Sequence, residues 1–214
     1  MVIFAALGLV GLIAVNVWIQ RERQRYHAEI ERLRASMTEV ERERADAIVG
    51  SERNKLGVAI ELLRRQARLE DALHLSVSLD SGVMYLEHEG ALLREMPVDV
   101  GPERTIGMPP DTVRLAPPRG VRTIAGILSD TSAWEMPAWV YQDRGVLPPE
   151  ETALPAALGI AAIVLDGGTI IYAFPSVGPL ADSAYVLPGA VRARAEDMRA
   201  ILPNLTPGMR VYFY

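Results

Sequence analysis

Chemistry at neutral pH calls for a nucleophile, a titratable base or a cluster of metal ligands, and this chain is poor in all three. Its 214 residues include no cysteine, which excludes thiol catalysis, thiolate metal sites and disulfides. The three histidines, His27, His74 and His88, are scattered without metal-ligand spacing, so neither a metal nor another cofactor is expected. The most definite local pattern lies near the end, in Leu187-Pro188-Gly189-Ala190-Val191-Arg192. Gly189 permits a tight turn with positive φ. Arg194 to Ile201 reads as a short helix that Leu202-Pro203 ends, and Thr206-Pro207-Gly208 reads as a turn into an alternating, aromatic-rich strand over Met209 to Tyr214. A turn, a short helix and a closing strand present one residue at a fixed point. That residue is Ala190.

The elements that must hold this point fall into three segments. Residues 1–20 are expected to form a membrane anchor, because Val2 to Ile19 has no charge and only Asn16 as a polar side chain. Eighteen helical residues rise about 27 Å, enough for a bilayer core, and Trp18 lies where an interfacial aromatic belongs. A signal peptide fits less well, since there is no basic n-region and no A-x-A-like cleavage site; a buried core helix is the other alternative. Residues 21–71 are dense in Arg and Glu and free of Pro. Tyr26, Ile30, Leu33, Met37 and Val40 follow a 4-3-4-3 spacing, a coiled-coil seam that breaks around Gly50 and resumes through Leu56, Ile60, Leu63 and Ala67. A parallel homodimeric stalk is the expectation; a lone charged helix with i,i+4 pairs is the competing one. His27 is then an exposed stalk residue.

From residue 72 to 214 the period changes from helical to alternating. His74 to Leu79 and Val83 to Glu87 read as strands about the Asp80-Ser81-Gly82 turn, and Ala91 to Gly101 as a third strand after Glu89-Gly90. Gly101 to Val113 reads as a polar loop, and Gly126 to Trp139 as a Trp/Pro-rich one. Ala161 to Leu165 and Thr169 to Ala173 read as strands about Asp166-Gly167-Gly168. The segment is therefore expected to be mainly β, a sandwich or barrel with one short helix near its end. A net charge of −5 gives no argument for nucleic acid and no basic, aromatic stripe suggests it, so no nucleic-acid partner is expected.

The order of these segments resembles that of bacterial L,D-transpeptidase catalytic domains. That family has a Ser/Thr-His-Gly-Cys-x-Arg motif before a short helix, a Pro-Gly-type turn and a last strand. Glu196-Asp197 and Thr206-Pro207-Gly208-Met209-Arg210-Val211-Tyr212 match the later part, and Gly189 and Arg192 fall on the motif's Gly and Arg. The nucleophile position holds Ala190, and Leu187 and Pro188 replace the Ser and His before it. Ile171-Tyr172-Ala173 stands where the family has "I-H-G", so Tyr172 occupies the position of the catalytic base; 17 residues separate it from Ala190. The resemblance implies that Trp134 and Trp139 are groove-wall candidates, with flat faces for sugar or peptide, or else pack the long loop onto the barrel. Arg192 would hold a stem-peptide carboxylate as a bidentate fork, or form a structural ion pair with Glu196 or Asp197.

The family's reaction is acyl transfer through a Cys thioester. Alanine offers no nucleophile, and a tyrosine with an ordinary pKa near ~10 is a poor base at neutral pH. Ser176 and Ser183 lie between the two substituted positions without an evident base. The expectation is a membrane-anchored, catalytically inactive L,D-transpeptidase-like pseudoenzyme of the bacterial cell envelope that binds peptidoglycan or cell-wall enzymes. The alternatives are an active transferase with a non-standard nucleophile and a purely structural membrane-stalk adaptor. The resemblance puts the C-terminal domain in the periplasm, on an inner-membrane single span. Arg21, Arg23, Arg25, Arg32 and Arg34 follow the span and, by the positive-inside rule, argue for the cytoplasm instead.

Overall fold

The computed structural model describes Arg32 and residues 37–106 and 112–214. The expected membrane span and the seam residues Tyr26, Ile30 and Leu33 lie outside the described residues; among those described, no helix is long and apolar enough to cross a membrane. The chain divides into two compact units, residues 1–57 and 58–214.

Helix α1 spans Glu39–Arg68 and passes through Gly50 without a break. It begins with a reciprocal cap. Thr38 N–H donates to Glu41 Oε2 at 2.8 Å, and Glu41 N–H donates to Thr38 Oγ1 at 3.4 Å. Within the first unit, Val40, Ile48, Val49 and Leu56 are exposed on this helix.

The second unit is built on a closed eight-stranded barrel. Its strands are β1 (His74–Ser78), β2 (Val83–His88), β3 (Ala91–Val100), β6 (Gly120–Ser129), β9 (Ala161–Leu165), β10 (Ile170–Ala173), β11 (Val191–Ala193) and β12 (Arg210–Phe213). Around the barrel the order is β1-β12-β6-β9-β10-β11-β3-β2. The pairs β1·β12 and β10·β11 are parallel and the other six antiparallel. Period-two alternation sends Leu75, Val77, Met84, Met96, Ile163 and Phe213 into a continuous apolar interior. Burial of each such side chain stabilises by about 1.5–3 kcal/mol.

On β1 the alternate residues His74, Ser76 and Ser78 are buried as well. His74 is capped by the Ala72 carbonyl at 2.9 Å and packs edge-on to Tyr212, and Ser76 Oγ donates to Glu87 Oε2 at 2.6 Å. Glu70 ties the adjoining edge by accepting bonds from Arg210 and the Tyr212 hydroxyl.

Two expected loops contain regular structure. The stretch 101–113 holds β4 (Arg104–Ile106), which pairs with β5 (Val113–Leu115). The stretch 126–139 opens inside β6, continues through β7 (Ala133–Glu135), which pairs with β8 (Ala153–Pro155), and enters α2 (Ala138–Arg144). The reason for α2 is local: Pro137 starts it, Val140 and Tyr141 bury one face, and Gly145 ends it at φ 64°. These pieces enclose a second apolar cluster on the outer face of the barrel, including Met136, Val140, Tyr141, Leu158, Tyr172 and Leu180. The expected late helix is α3 (Ala195–Ile201), with Glu196 and Asp197 in its first turn where the helix dipole favours acids.

Candidate functional site

Three neighbouring strands build the site. Tyr172 on β10 pairs with Arg192 on β11, which pairs with Asp99 on β3. All three alternate with barrel-interior residues, Ile171 and Ala173, Val191 and Ala193, and Val98, so the row points outward. Tyr172, Leu187 and Ala190 share the outer apolar cluster. The fold therefore brings together the two positions that the sequence comparison singled out.

What they do there is structural. The Leu187 N–H donates to the Tyr172 hydroxyl at 3.1 Å, and Tyr172 is fully buried. Burial pushes the Tyr172 phenol up; the Leu187 amide and Arg192 pull the other way, and Asp99 adds to the rise. The phenol therefore stays neutral at physiological pH. Ala190 is buried, and its carbonyl accepts the Gly101 N–H at 2.8 Å. Gly101 is required at this crossing, since a Cβ there would lie 2.0 Å from the Leu187 carbonyl oxygen. Gly189 makes the expected turn at φ 72°.

Arg192 is consumed internally. Its Nε and Nη2 donate to Asp99 Oδ2 at 3.1 and 2.8 Å. Nη1 donates to the carbonyls of Asp182 and Tyr185 at 3.2 and 2.9 Å, and Nη2 to that of Ser183 at 2.8 Å. All five guanidinium N–H groups are thereby used. The side chain pins the 182–185 loop to the barrel and does not line the cleft. Its carboxylate partner is Asp99 rather than Glu196 or Asp197, because those two pair with Arg194 at the helix N-cap and Asp197 also with Arg94.

The same loop is fastened to α2. Arg144 pairs with Asp182 at 2.9 Å and donates to the Pro179 carbonyl at 3.2 Å. The Tyr185 hydroxyl donates to Asp143 at 2.8 Å, and burial together with that carboxylate raises the Tyr185 pKa.

An open cleft of about 970 Å³ lies over this region. Leu187, Pro188, Gly189 and Ala190 form one part of its wall, and Trp134 and Trp139 another. Both tryptophans are half-buried and also pack on the outer cluster. Ser176 and Ser183 are exposed and outside the lining. His74 lies with Tyr212 and Glu87, away from Ala190's cluster.

Asp99, Arg122, Asp143 and Tyr185 were not singled out by the sequence. Asp99 and Arg192 are separated by 93 positions, and nothing local marks them as partners.

No protein-family model matches the sequence, and no curated protein does. The chain is similar to solved structures of L,D-transpeptidases. One from Xylanimonas cellulosilytica is 17% identical over 68% of this chain and 61% of its own, with a TM-score of 0.47. L,D-transpeptidase 1 from Mycobacterium tuberculosis is 17% identical over 67% of this chain and 62% of its own, TM-score 0.43. An enzyme from Mycobacterium smegmatis is 18% identical over 66% and 58%, TM-score 0.45. The chain thus spans less than two thirds of the length of each.

Proposed function

We propose that residues 58–214 form a non-catalytic, L,D-transpeptidase-like binding head that takes peptidoglycan stem peptides in the cleft. The observation that carries this reading is the state of the two positions facing the outer cluster. Ala190 supplies no nucleophile at the cleft wall, and the Tyr172 hydroxyl is engaged by the Leu187 amide. Acyl transfer needs a nucleophile and a base within hydrogen-bond reach of each other. Neither serine of the intervening loop lines the cleft. The cleft itself is intact, with two tryptophan faces over a floor rich in proline and glycine, which suits binding without turnover.

In the same proposal the head is carried by a single N-terminal inner-membrane span on the periplasmic side, and the helix preceding it pairs with a second copy. The uncovered apolar residues Val40, Ile48, Val49 and Leu56 on a helix that begins with a strong cap support the pairing.

The test is co-sedimentation of the chain with purified peptidoglycan sacculi, followed by muropeptide analysis. Binding with an unchanged muropeptide profile is expected. New cross-links would instead establish an active transferase, and a chain left in the supernatant would remove the wall ligand and leave a structural adaptor.

A further inference from the structure

We propose that Arg122 is the carboxylate anchor of the cleft, so that the ligand is a peptide presenting a free carboxylate. This rests on the cleft being a peptide-binding site, as above, and names the group that it recognises.

Arg122 stands in β6 opposite Val211, on the ladder face that also carries Ile124 into the barrel. It contributes to the cleft lining. Its side chain is half-buried, and its Nε is a buried donor with no hydrogen-bond partner among the described residues. No carboxylate among them lies within ion-pair distance of it. Most other arginines around the site are paired: Arg192 with Asp99, Arg144 with Asp182, Arg104 with Asp143, and Arg114, also in the cleft, with Glu103 at 2.6 Å. Arg119 lines the cleft without a carboxylate partner among the described residues too, but it is exposed to water, whereas Arg122 is half-buried with a buried, unpartnered Nε.

A guanidinium is always charged, and a partly buried one without a partner carries a desolvation cost that a matching anion offsets. The guanidinium fork takes two oxygens of a carboxylate or a phosphate, and for a peptide ligand the anion is a carboxylate. The β9–β10 turn runs beside the guanidinium: a Cβ at Gly167 would lie 3.9 Å from Arg122 Nη1, in ordinary van der Waals contact. Gly167 and Gly168 both adopt positive φ, 74° and 81°, and both line the cleft. Trp134 and Trp139 then offer apolar faces to the rest of a bound peptide. Arg192, for which the family resemblance offered this role as one of two alternatives, has no donor left to give.

The probe is a disaccharide-tripeptide muropeptide, as its free acid and with its carboxylates amidated, titrated calorimetrically into the 214-residue chain in a mild nonionic detergent. The free acid is expected to bind, with amidation weakening it about tenfold to hundredfold, the worth of a charge-assisted hydrogen bond. Arg122→Gln should lose a similar factor for the acid and show no preference between the two forms. If the unaltered chain binds acid and amide equally, or if Arg122→Gln keeps the preference, the Arg122 assignment is wrong while the peptide-binding cleft stands. If neither form binds the unaltered chain, both fall together. The acid-against-amide comparison needs no variant, so a poorly folding Arg122→Gln would leave the question decidable.

Discussion

Replacing Arg192 by methionine keeps most of the side chain's length and removes its five donors. The ion pair with Asp99 is the smaller part of the loss: the Asp99 side chain is 62% exposed, and solvent screening limits such a pair to roughly 0–1 kcal/mol. The larger part comes from the carbonyls of Asp182, Ser183 and Tyr185, which lose a charged donor in a part-buried to buried setting. Each stranded acceptor costs about 1–3 kcal/mol, though the loop relaxes and the three do not add. The stacking of the guanidinium over Phe174, 5.0 Å from the ring centroid, is lost as well. A net destabilisation of about 3 kcal/mol lowers Tm by roughly 6–12 °C in a unit of this size. Arg192→Lys keeps the charge, but its single ammonium cannot reach every acceptor, so an intermediate fall is expected. Differential scanning calorimetry of both variants, with sacculus binding measured below Tm, decides the matter. A Tm within about 2 °C of the unaltered chain, combined with lost sacculus binding, would refute the structural role and return Arg192 to the ligand site.

Three further perturbations test the remaining geometry. Tyr172→Phe strands the buried Leu187 N–H and should cost about 1–3 kcal/mol, with faster hydrogen exchange at that amide; unchanged exchange would mean that the bond is not formed. Gly101→Ala drives a Cβ to 2.0 Å from the Leu187 carbonyl oxygen and should destabilise by about 1–3 kcal/mol or more, whereas Gly126→Ala meets nothing within 4 Å and should cost far less in the same urea melts. Glu70→Gln probes the carboxylate that Tyr212 and Arg210 hold below its ordinary value of 4.5. A lowered folded-state pKa gives stability that is fully present above 4.5 and lost as the pH falls through the folded value. The variant should therefore be less stable at neutral pH, with a flatter fall of Tm on acidification, and a parallel fall would disprove the linkage.

The sequence was most legible where structure is local. Asp80-Ser81-Gly82 and Asp166-Gly167-Gly168 mark their hairpins because glycine accepts the positive φ that those turns need, as at Gly82 and Gly167. The late helix and the last strand are equally plain, with Leu202-Pro203 and Thr206-Pro207-Gly208 as punctuation. Ala138–Arg144 was missed because Trp139 drew attention to a loop, while the apolar pair Val140-Tyr141 is too short to show a helical period. Of the residues prominent in the sequence, Trp134, Trp139, Leu187, Pro188, Gly189 and Ala190 line the cleft, while Tyr172 and Arg192 do not. Their supports were not legible. Asp99 and Arg122 are single charges in alternating strands, and only barrel closure decides that one meets Arg192 and the other meets no carboxylate. Partnering of that kind is a long-range property, beyond the reach of periodicity or spacing.

Barrel connectivity has a consequence for the birth of the molecule. Strand β12, the last of the barrel to be synthesised, is not an edge piece; it is inserted between β1, the first, and β6. Leu75 must wait for Val211, and until then β1 and β6 each present an unpaired ladder. Closure is thus deferred until nearly the whole head has left the ribosome, and it depends on contacts of long sequence separation, which form slowly. A nascent head of this topology stays open, threadable and in need of protection for as long as its final strand is unmade.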